Sequence, residues 1–228
     1  MKYLCPCENH FRMMLFFAAS NATKNRKRPV VFLQHGFIGS SAVWLMNPPS
    51  QSAGFVFADA GFDVWMGNTR GNTYSHKHNS LTRNDWAYWN FTYVSYYDLE
   101  AMIDKVLNVT RQTHVHYVAH SEGCILMLAK LSIDPTFSSK VRKFFALGPM
   151  TSMEHVRGIV PFFANNFGQL IKVRSYVTTR MPVYLTHLPG GTSTANLVHW
   201  AQLTTTGRLR MYDFGSEHAN MQRYGTVS

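Results

Sequence analysis

The stretch Ala119-His120-Ser121-Glu122-Gly123 joins two apolar runs of different character, and that junction constrains the chain more than any other feature. Before it, His114-Val115-His116-Tyr117-Val118 alternates and is rich in β-branched and aromatic residues, the signature of a strand. After it, Cys124-Ile125-Leu126-Met127-Leu128-Ala129-Lys130-Leu131 is unbroken and long enough to continue as a buried helix. A serine at such a strand-to-helix corner sits in a sharp turn with its hydroxyl projecting upward. Ala119 and Gly123 flank it with small side chains, which lets strand and helix approach closely while the serine takes a strained backbone conformation. The bland alternative for Ser121 is a plain helix N-cap.

The rest of the chain from Pro29 alternates in the same way. Val30-Val31-Phe32-Leu33 is a short β-prone apolar run that ends at Gln34-His35-Gly36, as expected of a strand buried on both faces of a parallel sheet. Ala53 to Ala60 suits a short helix ended by Gly61, and Phe62-Asp63-Val64-Trp65-Met66 follows as a strand closed by Gly67-Asn68. A further helix is expected from about Ser95, with Leu99, Met102, Ile103, Val106 and Leu107 at helical spacing. Lys143-Phe144-Phe145-Ala146-Leu147 gives another strand before Gly148-Pro149. Beyond Pro149 the pattern loosens. Met181-Pro182-Val183-Tyr184 reads as extended, and Leu188-Pro189-Gly190-Gly191 reads as a turn leading to Thr192, the expected N-cap of a helix through about Leu203. Strands alternating with helices make this an α/β protein with a mostly parallel sheet, whose functional groups gather at the carboxyl ends of the strands. His35-Gly36-Phe37, Asn68 and Ser121 all fall at such ends.

Composition excludes several classes. A chain of 228 residues, 46% hydrophobic and only 15% charged, is neither disordered nor too short for one sizeable core. Its formal charge of +10 invites a nucleic-acid reading, but the basic residues are scattered apart from Lys24-Asn25-Arg26-Lys27-Arg28, which reads as a solvated basic linker. No nucleic-acid-binding motif accompanies them, so no nucleic-acid partner is expected. Cys5-Pro6-Cys7 lacks the second ligand pair of a zinc site, and Cys124 reads as a small buried apolar residue, so no metal is expected. His76-Lys77-His78 reads as a solvated loop, and the aromatic block Trp86 to Tyr97 reads as core and cap packing. No run is long enough to cross a membrane. Met13-Met14-Leu15-Phe16-Phe17-Ala18-Ala19 offers the apolar core of a short signal peptide, and sequons stand at Asn21, Asn90 and Asn108; together these favour a secretory route.

A serine hydroxyl attacks an ester only when a base removes its proton, and the oxyanion that forms needs N–H donors placed in advance. The corner at Ser121 resembles the nucleophile elbow of α/β-hydrolases, with Ala119 in place of the first glycine. In that arrangement the donors are the backbone N–H of Glu122 and of Phe37, after the strand ending at His35-Gly36. The longer stretches Leu33-Gln34-His35-Gly36-Phe37 and Ala58 through Ser75 resemble the acid lipase family, the group of gastric and lysosomal lipases. Tyr97-Asp98-Leu99, Phe145-Ala146-Leu147-Gly148-Pro149, Gly190-Gly191-Thr192-Ser193 and Tyr212-Asp213-Phe214-Gly215-Ser216 are also similar to that family. The resemblance implies hydrolysis of neutral lipid esters, triacylglycerols or cholesteryl esters, at a lipid–water interface, with no cofactor, in an extracellular or lysosomal setting.

The departures from that family are as informative. The stretch from about 151 to 182 is short for the family's cap, residues 1–28 do not match its lead-in strands, and the family's triad acid and histidine lie beyond the part matched here. The expected layout is therefore an atypical segment 1–28 followed by a partial α/β-hydrolase domain 29–228 with a reduced cap and without its last strands. The base should lie downstream of Ser121. His155, His187, His199 and His218 are available, but each reads as structural or solvent-exposed, His120 should point away from the hydroxyl, and Asp213 resembles a triad acid only by type. Three readings remain: a serine ester hydrolase impaired in this chain, a non-catalytic relative that binds lipid or a partner, and a fragment.

Overall fold

The apolar runs assemble side by side into one sheet, in a computed structural model that describes residues 2–6, 11–18, 28–78, 82, 97–149, 180–192 and 194–225. The strands are β1 (Lys2–Pro6), β2 (Phe11–Ala18), β3 (Val30–Gln34), β4 (Asp63–Met66), β5 (Lys77–His78), β6 (Val115–His120) and β7 (Val141–Leu147). Their order is β1-β2-β4-β3-β6-β7, with β5 paired to β2. The four strands β4, β3, β6 and β7 run parallel, and β2 joins them antiparallel through Phe16↔Met66, Phe17↔Trp65 and Ala18↔Val64. The helices are α1 (Ala53–Asp59), α2 (Leu99–Thr110), α3 (Glu122–Ile133), α4 (Met181–His187), α5 (Thr194–Thr206) and α6 (Glu217–Tyr224).

The two-residue period of a strand explains how β3 feeds two cores at once. Val30 and Phe32 point to one face, where they meet Leu99, Met102, Ile103 and Val106 of α2 and Leu126 and Met127 of α3. Val31 and Leu33 point to the other, against Trp44, Ala58 of α1, Val64 and Met66. Both faces are dry: all five β3 residues are buried. Each such aliphatic or aromatic side chain contributes about 1.5–3 kcal/mol on removal from water. Phe32 stacks on Tyr117 of β6 at 5.8 Å, which fixes the β3–β6 contact beneath the site. The α2 positions 99, 102, 103 and 106 form the apolar stripe that their spacing predicts. Lys130, buried on α3, reaches Glu100 at 2.7 Å and Asp134 at 3.2 Å, tying α3 to α2.

Four expectations are corrected here. Met181-Pro182-Val183-Tyr184 is not extended but opens α4, because proline in the first helical turn forfeits no hydrogen bond and supplies a helical φ. The run Met13 to Ala18 lies in β2, and the segment before residue 29 thus supplies lead-in strands that the sequence did not suggest. Lys77–His78 is a short strand on β2 instead of a free loop, although His76 is exposed. The helix expected from Ser95 starts at Leu99, where the Asp98 side chain makes no cap bond; Ser95 itself lies outside the described residues. So do His155, most of the aromatic block, the basic run 24–27 and the region 150–179. The helix expected from Thr192 to Leu203 runs from Thr194 to Thr206. β7 pairs with β6 along one edge, and Phe145 and Leu147 are 48% and 46% exposed. No helix among the described residues is long and apolar enough to cross a membrane.

Candidate active site

The chain leaves β3 toward β4 on one side and leaves β6 toward β7 on the other, so the carboxyl ends of the adjacent strands β3 and β6 flank a crevice where the strand order reverses. Ser121 stands at one lip of that crevice and Gly36-Phe37 at the other. Ser121 has φ 52° and ψ −117°, a backbone conformation that L-residues disfavour. Its N–H is held by the Leu147 carbonyl at 2.9 Å, which ties the corner to the end of β7. The side chain makes no cap hydrogen bond to α3 and no hydrogen bond to any described residue. The N-cap explanation therefore does not hold: the helix begins, but the serine hydroxyl is not spent on it.

Two glycines let the lips close. A Cβ placed on Gly123 would lie 2.8 Å from the His35 carbonyl oxygen and 2.9 Å from that of Gln34, so α3 can start against β3 only without a side chain there. A Cβ on Gly36 would lie 3.0 Å from the Ser121 Cβ and 3.0 Å from the His120 carbonyl oxygen. The peptide joining Gly36 to Phe37 is thus packed directly against the serine. Glu122 is the first residue of α3, so its N–H has no intrahelical acceptor. The three residues singled out by sequence, Ser121, Phe37 and Glu122, are brought together at one end of the sheet.

The Glu122 side chain turns inward and is 5% exposed. Its Oε1 accepts from Asn196 Nδ2 at 2.8 Å and Trp200 Nε1 at 3.2 Å, both on α5, and burial pushes its carboxyl above the usual range. Trp200 also packs on the Phe37 ring at 5.5 Å, with Ile125 and Leu203 beside it. α5 therefore packs against both Phe37 and Glu122, through the Trp200 ring on the first and hydrogen bonds to the second.

The loops after β3 and β4 are built from polar residues whose roles the sequence did not reveal. His35 is buried; its Nδ1 lies 2.8 Å from the Gly36 carbonyl, and its Nε2 accepts from the Thr69 N–H at 3.2 Å. Burial holds this imidazole down at about 4, against the opposing pull of the Gly36 carbonyl. Asn68 Oδ1 takes the Ser41 N–H at 2.9 Å and Asn72 Nδ2 at 2.9 Å. Arg70 grips the buried Asp98 carboxylate with Nε at 2.6 Å and with a second guanidinium nitrogen. Gly190 threads between loops: its N–H bonds the Ile38 carbonyl at 2.6 Å and its carbonyl accepts from Thr73 at 2.8 Å. The available signal was the run of buried polar residues between Asn68 and Ser75, since such groups stay buried only when paired.

Apart from His120, whose Nδ1 would lie 3.0 Å from a Cβ on Gly36, the other candidates stand away from the corner. His199 is buried, with Nε2 2.9 Å from the Arg210 carbonyl and its ring against Tyr212. His187 lines a separate cavity of about 200 Å³ with Ser41, Leu45, Met46, Tyr74 and Val183. His120 and His218 are exposed. Asp213 is exposed and accepts from the Gly215 N–H at 2.8 Å and Asn220 Nδ2 at 3.0 Å, which hold its carboxyl low; it is a turn residue. Among the described residues no group of three metal-ligating side chains forms.

The comparisons with known proteins agree with this architecture. The model of the alpha/beta hydrolase fold family matches residues 29–213, and that of the partial alpha/beta-hydrolase lipase region matches residues 8–48. The second match spans β2 and the loop after β3. Lipase lipl-5 of Caenorhabditis elegans is 41% identical, covering 93% of this chain and 65% of that protein. Gastric triacylglycerol lipase of Homo sapiens is 30% identical, covering 91% of this chain and 64% of that protein. The chain thus spans slightly less than two thirds of the length of these relatives. Among solved structures, a putative aryl esterase from Burkholderia cenocepacia superposes with TM-score 0.55 at 13% identity, over 84% of this chain and 68% of that one, a likeness of fold alone. With the crevice, the corner and these matches in hand, the chain belongs to the α/β-hydrolase fold family, and its curated relatives within that family are lipases.

Proposed function

We propose that this chain carries the nucleophile and oxyanion half of a serine hydrolase acting on neutral lipid esters, triacylglycerol or cholesteryl ester. The observation that carries the reading is Ser121: it adopts a strained backbone at the crevice and leaves its hydroxyl unused by the helix behind it. A fold does not keep such a residue for stability, since an unstrained serine would cap α3 better. In the reaction Ser121 Oγ attacks the ester carbonyl carbon, and the carbonyl electron pair moves onto its oxygen. The N–H groups of Phe37 and Glu122 stabilise that oxyanion, each donor contributing about 10²–10³ in rate by analogy with other oxyanion holes. Collapse expels the alcohol, and water then releases the acid from the acyl-serine.

The proton on Oγ needs an acceptor, and no described imidazole or carboxylate hydrogen-bonds the Ser121 hydroxyl. Without such an acceptor the serine would retain only what the oxyanion donors and binding supply, roughly 10³–10⁴ over water in enzymes stripped of a triad member. The buried apolar cluster of Ile125, Trp200 and Leu203 backs Phe37 and holds its loop against the sheet. The relatives' printed names, lipase and gastric triacylglycerol lipase, support lipid esters as the class. Reaction with an alkyl fluorophosphonate followed by peptide mass spectrometry tests both parts. The expected adduct is confined to Ser121, forms over hours, and vanishes in Ser121→Ala. An adduct elsewhere rejects the nucleophile assignment; complete labelling of Ser121 within minutes rejects the impairment.

A further inference from the structure

We propose that His35 is the positioning residue of the Gly36-Phe37 donor loop and that it works only as the neutral Nδ1–H tautomer. This inference rests on the hydrolase reading above and adds what sets the Phe37 donor. The tautomer follows from its partners. The Thr69 N–H can only donate, so Nε2 accepts, and the Gly36 carbonyl can only accept, so Nδ1 carries the hydrogen. Asn72 Nδ2, 3.2 Å from Nε2, is a second donor; its amide orientation is set because Asn72 Oδ1 takes the Tyr74 N–H at 2.8 Å.

The consequence runs through one peptide plane. The Gly36 carbonyl and the Phe37 N–H belong to the same planar unit and point in opposite directions. The carbonyl is pinned twice, by His35 Nδ1–H at 2.8 Å and by the Gly39 N–H at 3.1 Å. Fixing the oxygen fixes the direction of the N–H on the far side, which is the proposed oxyanion donor. His35 touches no reacting atom; it orients the group that does.

A proton added at Nε2 would face the Thr69 N–H and the Asn72 amide, two donors, with only the Thr69 hydroxyl at 3.3 Å able to accept. Among the described residues no carboxylate hydrogen-bonds the ring. The ionisable groups on the surrounding elements are Arg70, engaged by Asp98 on the loop after β4, and His120 and Glu122 at the corner. The polar partners of the ring are all uncharged. Protonation therefore forces the ring to withdraw, freeing the Gly36 carbonyl and the peptide plane with it. The fold has an acid limit built into the donor loop, set one layer behind the serine.

The test is an NMR titration of the full chain labelled at histidine and backbone nitrogen. The expected His35 spectrum is that of the Nδ1–H tautomer at neutral pH, titrating with a midpoint of about 4. The Phe37 amide should shift with the same midpoint while far-UV circular dichroism stays constant, and in His35→Asn that Phe37 transition should vanish. An Nε2–H tautomer, a midpoint near 6.5, a Phe37 amide that ignores the ring, or unfolding at the same midpoint overturns the proposal. If His35→Asn does not fold, the wild-type tautomer and the coupled shift still decide the matter. Absence of any fluorophosphonate adduct on Ser121 at neutral pH overturns the hydrolase reading instead, a result distinct from every outcome of the titration.

Discussion

Replacing Ser121 with glycine should stabilise the protein while removing its nucleophile. The backbone at φ 52°, ψ −117° costs a side-chain-bearing residue on the order of 1–3 kcal/mol. Glycine enters this region freely, but it gives back about 0.5–1 kcal/mol through the entropy of the unfolded chain. No side-chain hydrogen bond to a described residue is lost, so the expected net gain is about 1 kcal/mol. Ser121→Ala is the control: it removes the same hydroxyl, keeps Cβ and keeps the strain, so its stability should lie within about 0.5 kcal/mol of the wild type. For a chain of this size 1 kcal/mol corresponds to roughly 2–4 °C in Tm. Thermal unfolding and urea midpoints of the three proteins, measured side by side, read the difference. Equal stability of Ser121→Gly and Ser121→Ala would refute the claim that the corner stores strain.

Other perturbations test the scaffold around that corner. Gly123→Ala gains helix propensity of up to about 1 kcal/mol but drives a Cβ to 2.8 Å from backbone oxygen, so overpacking should win and Tm should fall by several degrees. Asp98→Asn leaves the Arg70 guanidinium buried with a neutral partner and should cost about 3–5 kcal/mol in urea unfolding, with part of the loss recovered in Arg70→Met/Asp98→Leu. Both carboxamide atoms of the fully buried Gln34 lack a partner among the described residues, so Gln34→Met should be neutral or stabilising by about 1–2 kcal/mol, seen as a raised urea midpoint. For pH, the unfolded His35 binds a proton near 6.5 and the folded one only near 4, so the unfolded state holds more protons between those values. Its contribution, on the order of 3 kcal/mol, is present above pH 6.5 and is lost as pH falls toward 4, while Glu122, shifted upward by burial, acts in the opposite sense. A stability profile that is flatter from pH 6.5 to 4 in His35→Asn than in the wild type is the expected result.

The centre of the sheet was legible because β3 is buried on both faces and therefore reads as a continuous apolar run, Val30-Leu33; Phe144-Leu147 is apolar as well, although that edge strand is largely exposed. The convergence of Gly36-Phe37 and Ser121-Glu122 was legible too, since parallel strands deliver their carboxyl ends to one side of the sheet. The failures have local causes. Pro182 reads as a breaker from composition alone, yet in a first helical turn it is a starter. Met13-Ala18 is apolar enough for a leader, and only the pairing with β4 reveals it as a strand. The polar scaffold was least legible. Thr73 meets Gly190, Asn68 meets Ser41, and Arg70 meets Asp98 across separations that no local spacing rule spans.

Whether the fold presents Ser121 to two backbone donors is decided by a crystal structure of the phosphonylated chain. The expected structure has phosphorus bonded to Ser121 Oγ, with its oxygen about 2.7–3.1 Å from the backbone nitrogens of both Phe37 and Glu122. A phosphonyl oxygen that faces solvent, or that meets neither nitrogen, would contradict it.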